Sequence, residues 1–112
     1  MTKKPFGTLP QKDLLTVAQL GPGDVETIFG ATTAIKSDRE AFSEALRGKR
    51  LAMIFEKDSL RTRFTFDVGM QDLGGSAVFM DHRDVRLGSR ESLKDMAKNL
   101  ERWVDGIVAR VF

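Results

Sequence analysis

A chain of 112 residues, 41% hydrophobic and 30% charged, has the composition of one soluble globular domain and not of a disordered segment. Eighteen Lys and Arg against sixteen Asp and Glu leave a net charge of +2, too small an excess to indicate a nucleic-acid or membrane protein by charge alone. Cysteine is absent and His82 is the single histidine, which excludes a disulfide framework, thiolate metal sites and a histidine-rich metal centre. Lys3 and Lys4 have no apolar run behind them, and no stretch approaches ~18 consecutive apolar residues. A cytoplasmic protein without a membrane anchor is expected.

Proline and glycine gather at Pro5, Gly7 and Pro10 and at Gly21-Pro22-Gly23, marking short connections. Asp24 is a candidate cap for a helix whose apolar positions Val25, Ile28, Phe29 and Thr32 follow the 3.6-residue period. A second short helix is predicted over 38–46, ended by Gly48. Leu51-Ala52-Met53-Ile54-Phe55 is a continuous apolar run between charged pairs, the pattern of a strand buried on both faces and hence of a parallel sheet.

After the polar turn Lys57-Asp58-Ser59, residues 61–73 place Phe66, Gly69, Met70 and Leu73 on one helical face, with Gly74-Gly75 as terminator. Phe64, Phe66 and Val68 also alternate at period two, so the same stretch carries a competing strand pattern. Ser76-Ala77-Val78-Phe79-Met80 is a second buried-strand candidate, followed by a charged loop over 81–90. Ser92 with Asp95 has the form of a capping box, and Leu93, Met96, Ala97, Leu100 and Val104 make one apolar stripe. Residues 106–112 supply a third strand. The order strand, helix, strand, helix, strand predicts an α/β fold: a parallel sheet flanked by helices, with right-handed crossovers.

The stretch richest in chemistry is Phe55-Glu56-Lys57-Asp58-Ser59-Leu60-Arg61-Thr62-Arg63, between a buried strand and a helix N-terminus. There the first helical turn offers unpaired N–H groups and the positive end of the dipole, Ser59 and Thr62 add hydroxyls, and Arg61 adds a planar fork. These groups suit a phosphate or carboxylate. Read without context, Ser59 could equally be a plain cap and the arginines solvated charges. No Walker-type spacing or Gly-x-Gly-x-x-Gly is present.

That stretch closely resembles the carbamoyl phosphate-binding signature of the aspartate/ornithine carbamoyltransferase family, whose pattern is Ser-Thr-Arg-Thr-Arg. Further matches follow in order: Leu73-Gly74-Gly75, Leu87-Gly88 with Glu91-Ser92-Leu93-Lys94-Asp95, Asp105-Gly106-Ile107 and Ala109-Arg110-Val111-Phe112. They span residues 51–112, with weaker agreement back to Leu14. Phe55-Glu56-Lys57 before the serine resembles the ornithine branch, since the aspartate enzymes usually carry a lysine in the later loop, which here reads Arg86-Leu87-Gly88-Ser89-Arg90.

The resemblance implies that Ser59, Arg61 and Thr62 hold phosphate with help from the Leu60 amide, and that Arg110 reaches the carbamoyl oxygen and phosphate. Arg61 and Arg110 would be the catalytic pair. Leu60 replaces the family threonine, which removes one hydroxyl but keeps the N–H, and it leaves room for a modified-ornithine acceptor. Arg86 stands where the family loop lends a polar residue, typically glutamine in the ornithine branch, to a neighbouring subunit. It either reaches phosphate or is a solvated loop charge. Lys57 is a supporting cation or a surface residue, His82 a loop histidine, and Arg63 a structural brace acting through carboxylates, with Glu91 a possible partner.

Family chains are far longer, and this one ends before the family's His-Pro-x-Gln motif and amino-acid-binding domain. Residues 1–112 are therefore expected to be a partial carbamoyl phosphate-binding domain. For the complete enzyme the resemblance implies a homotrimer in which carbamoyl phosphate binds first and the ornithine δ-amine attacks its carbonyl carbon, giving citrulline and phosphate without metal or organic cofactor. The alternatives are an aspartate or modified-ornithine enzyme, or a non-catalytic phosphate-binding module. A basic nucleic-acid surface through Arg47, Lys49, Arg50, Arg61 and Arg63 is opposed by Glu56, Asp58 and Asp67 among them.

Overall fold

The computed structural model describes residues 6–55, 60–81 and 92–110. The chain divides into two compact units, Met1–Phe42 and Ser43–Phe112.

The first unit contains a 3-10 turn, Val17–Gln19, and helix α1, Pro22–Ser37. Gly21, not Asp24, occupies the cap position. Asp24 lies three residues further on, and its Oδ2 accepts from the Gly21 N–H at 2.9 Å and from Gln11 Nε2 at 2.9 Å. A carboxylate reaching back in this way satisfies one of the donors a helix start leaves open, so glycine suffices as cap. The bond from Gln11, then that from Gly21, holds the Asp24 carboxyl below its ordinary range. Of the predicted apolar stripe, Val25 and Ile28 are half-buried while Phe29 and Thr32 are exposed. Thr32 tolerates this because its Oγ1 donates to the Ile28 carbonyl of its own helix at 2.8 Å.

The helix predicted over 38–46 does not form. Asp38 Oδ1 accepts from the Ala41 N–H at 3.3 Å, opening a single 3-10 turn, Glu40–Phe42. Turns follow as far as Gly48. The Leu46 N–H, which a helix would direct to its own fourth preceding carbonyl, donates instead to the Leu73 carbonyl at 2.7 Å. A tertiary bond thus replaces a local one.

The second unit holds the sheet. Strands β1 (Arg50–Phe55), β2 (Ser76–Asp81) and β3 (Gly106–Arg110) are parallel in the order β2-β1-β3. Helices α2 (Leu60–Asp72) and α3 (Ser92–Trp103) connect them. The α/β architecture is the one the element order predicted. Central β1 buries Ala52, Met53, Ile54 and Phe55. Ala52 and Ile54 pack with Leu100 of α3, surrounded by Met80, Met96 and Val104. Met53 and Phe55 alternate to the opposite face, where the Phe55 ring meets Phe79 at 5.9 Å between centroids. Burial of each of the larger ones, Met53, Ile54, Phe55 and Leu100, stabilises the fold by about 1.5–3 kcal/mol.

β2 departs from its expected burial: Val78 is exposed, and none of its described side chains is fully buried. In a three-stranded sheet only the central strand has neighbours on both edges, so the flanking strands keep open surface. The conflict between periods in 61–73 resolves as helix, because the end of that segment is built for one. Gly74, at φ +87°, donates to the Gln71 carbonyl at 3.0 Å and Gly75 to the Met70 carbonyl at 2.8 Å, the paired bonds of a Schellman stop. Met96 and Leu100 of α3, with Val104 just beyond its end, form the predicted stripe, while Ala97 and Trp103 are exposed. The side chains of Ser92 and Leu93 lie outside the described residues. No helix among the described residues is long and apolar enough to cross a membrane.

Candidate anion site at the carboxyl ends of the strands

The register of the sheet decides what meets at its carboxyl end. Phe55, the last residue of β1, is partnered by Arg110, the last residue of β3. Partners in parallel strands share a sheet face, so Arg110 lies on the face of Phe55 and Met53. Helix α2 covers that face: Arg63 places its guanidinium carbon 3.9 Å from the centroid of Phe79, and Phe79 is partnered by Met53. Arg110 and the start of α2 therefore belong to the same end of the same face, the position at which open parallel sheets bind ligands.

The first turn of α2 reads Leu60, Arg61, Thr62, Arg63 and contains no acidic residue. Its N–H groups lack carbonyl partners within the helix, and the dipole leaves its positive end there. Arg61 is exposed and takes part in no ion pair among the described residues. Thr62 is half-buried. Leu60 is 69% exposed, so its side chain neither fills a core position nor hides the N–H behind it. Thr65 Oγ1 donates to the Arg61 carbonyl at 2.7 Å, tying the first turn to the next. Positive charge reaches this end of the face from the helix start, Arg61 and Arg110, while the register with β2 sets Asp81 opposite Phe55 on its other side.

Ser59, Lys57, His82, Arg86 and Glu91 lie outside the described residues. Arg63, expected to brace the fold through a carboxylate, has an aromatic ring as its described contact. The ring quadrupole attracts the cation, and no sequence signal short of the strand register links positions 63 and 79. Asp105 is a second residue to which sequence reasoning gave no task. Its Oδ2 accepts from the Arg50 N–H at 2.9 Å and its own N–H donates to the Arg50 carbonyl at 2.9 Å. Its only sequence signal was membership of the match Asp105-Gly106-Ile107.

The family model described as aspartate/ornithine carbamoyltransferase, carbamoyl-P binding domain, matches residues 12–112. The chain belongs to the aspartate/ornithine carbamoyltransferase family. Ornithine carbamoyltransferase of Thermus thermophilus is 50% identical over 105 residues, which are 94% of this chain and 34% of that protein. The solved structure of the ornithine carbamoyltransferase from Pyrococcus furiosus is 38% identical with a TM-score of 0.82, over 89% of this chain and 33% of that one. The catalytic subunit of aspartate transcarbamoylase from M. jannaschii gives a TM-score of 0.77 at 27% identity, over 89% of this chain and 34% of that one. The chain spans about a third of the length of these carbamoyltransferases. In this carbamoyltransferase domain the shared fold accounts for the similar scores, and the difference between branches is carried by the residues.

Proposed function

We propose that residues 1–112 are the carbamoyl phosphate-binding half of an ornithine carbamoyltransferase, an enzyme of arginine biosynthesis acting in the cytoplasm as a homotrimer. The observation that carries this reading is the pairing of Phe55 with Arg110, which brings the last residue of β3 to the end of the sheet where α2 begins. Relatives at 40–50% identity are ornithine carbamoyltransferases, which favours ornithine as acceptor.

In this mechanism the phosphate of carbamoyl phosphate is held by Ser59, the Leu60 N–H, Arg61 and Thr62, with Arg86 as a further contact. Arg110 donates to the carbamoyl oxygen and to phosphate. The δ-amine of ornithine attacks the carbonyl carbon, the C–O bond to phosphate breaks, and the amine proton is released as citrulline forms. Charge grows on the carbamoyl oxygen and then on the departing phosphate, beside cationic donors already in place. Fixing the donor substrate before the amine arrives lowers the entropic part of the barrier. No metal or organic cofactor enters the reaction. The amine-binding half belongs to the length that the relatives have beyond this segment.

Calorimetric titration of carbamoyl phosphate into this chain and its Arg61→Ala variant, at two salt concentrations, tests the reading. Saturable binding that survives the higher salt and vanishes in the variant is expected, since loose charge attraction would be screened. A chain that is folded by circular dichroism yet does not bind would overturn it.

A further inference from the structure

Asp105 sits at the far end of β3 from Arg110, outside reach of any bound phosphate, yet it makes three contacts to the residues that lead into β1. Its N–H donates to the Arg50 carbonyl at 2.9 Å, its Oδ2 accepts from the Arg50 N–H at 2.9 Å, and its Oδ1 lies 3.9 Å from Lys49 Nζ. Arg50 opens β1, and Asp105 immediately precedes β3. From this pair onward the strands run in step, Leu51 with Gly106 through to Phe55 with Arg110.

We propose that Asp105 is a positioning residue for Arg110: by accepting the Arg50 N–H it fixes the register of β3 on β1, and that register brings Arg110 to the α2 face. The role in carbamoyl phosphate binding rests on the function proposed above; the role in register does not. A strand buried on one face resists slipping because a shift of one residue turns every side chain to the other side. β3 has little of that protection. It is five residues long, begins with a glycine, and exposes Ile107, Ala109 and Arg110, leaving only Gly106 and Val108 half-buried. The difference in burial between its two faces is small, so an anchor at its entrance has to supply the specificity. A slip of one residue would carry Arg110 to the α3 face, away from the first turn of α2.

The side-chain bond is the component that can hold register. Ladder bonds between backbones are available in any register, whereas a carboxylate at one position accepting one particular N–H is not, and its charge strengthens it. The Lys49 contact is long and exposed, 58% and 48% at the two side chains, and contributes little.

The test uses this chain with Asp105→Ala, Asp105→Asn, Lys49→Met, Arg110→Ala and the double variant Asp105→Ala/Arg110→Ala. Backbone nuclear Overhauser contacts between Phe55 and Arg110 report the register, and contacts between Met53 and Phe79 report that β1 and β2 are intact. Asp105→Ala is expected to lose the first and keep the second. Asp105→Asn, which retains an acceptor oxygen, and Lys49→Met should keep both. Carbamoyl phosphate affinity should fall about tenfold in Asp105→Ala and by less than about threefold in Asp105→Asn, with no further loss when Asp105→Ala is added to Arg110→Ala, as for two residues acting through one contact. Retention of the Phe55 to Arg110 contact in Asp105→Ala would overturn the proposal, as would its loss in Asp105→Asn or Lys49→Met, or additive losses in the double variant. Should the unaltered chain fail to bind carbamoyl phosphate, the functional reading falls, and the Overhauser contacts alone still decide the register.

Discussion

The guanidinium of Arg63 lies over the ring of Phe79, 3.9 Å from its centroid, and the same ring meets Phe55 at 5.9 Å. Helix α2 is thereby fastened to β2 at its first turn, beside the residue that ends β1. A cation over a ring at an exposed site is worth about 0.5–1 kcal/mol and an aromatic pair about 0.5–1.5 kcal/mol. Phe79→Leu, which keeps an apolar side chain but neither interaction, should lower unfolding stability by about 1–2 kcal/mol. Arg63→Gln should cost about 0.5–1 kcal/mol, and urea melts of the two singles and the double should show that the arginine contributes nothing once the ring is gone.

Gly74 and Gly48 both have positive φ, +87° and +76°, but only one is crowded. A Cβ on Gly74 would stand 2.6 Å from the Ser43 carbonyl oxygen, whereas at Gly48 it would meet nothing within 4 Å. Alanine at Gly48 should cost about 1–2 kcal/mol for the left-handed conformation alone. At Gly74 the overlap with backbone should add about 1–3 kcal/mol. Thermal melts that rank the two variants equally would show that the turn at Ser43 yields without strain.

The carboxyl of Asp24 is held below its ordinary value of 3.8 by the bond from Gln11 and then by that from Gly21. A carboxyl with a lowered folded value stabilises the first unit fully above its unfolded value, and the contribution is lost as pH falls through the folded one. Gln11→Ala should move the Asp24 titration up towards 3.8, read from the side-chain carboxyl carbon by NMR. The acid-induced loss of local stability should then be smaller than in the unaltered chain, because its size is set by the gap between the folded and unfolded values.

Arg110→Ala should weaken carbamoyl phosphate binding by about 10- to 100-fold, the effect of about 1.5–3 kcal/mol for hydrogen bonds to a charged group. Arg110→Lys should recover only part of it, because an ammonium lacks the planar fork that engages two oxygens together. Equal affinity of the Lys variant and the unaltered chain, by calorimetry, would mean that charge alone matters at this position.

By the same reading this chain forms no citrulline from ornithine and carbamoyl phosphate, since it supplies the donor half of the site alone. A radiochemical assay at high protein concentration checks this. Product above the uncatalysed rate would require acceptor groups within these residues.

The parallel α/β architecture was legible in the sequence because a run of five apolar residues between charged pairs has the length of a strand covered on both sides, and Ala52, Met53, Ile54 and Phe55 are all buried. The Gly74-Gly75 stop and the stripe through Met96, Leu100 and Val104 were legible for the same reason, since backbone conformation and helical period are local properties. The signature around Arg61 and the later match at Arg110 were likewise present in the chain order. Tertiary structure decided the rest. Residues 38–46 lost their helix because the Leu46 N–H found the Leu73 carbonyl, β2 kept an open surface because it lies at an edge, and Arg63 found a ring one strand away. Above all, the meeting of Phe55 and Arg110 depends on how two strands far apart in sequence align, and the contacts that set such an alignment, among them that of Asp105 with Arg50, exist only once the chain has folded.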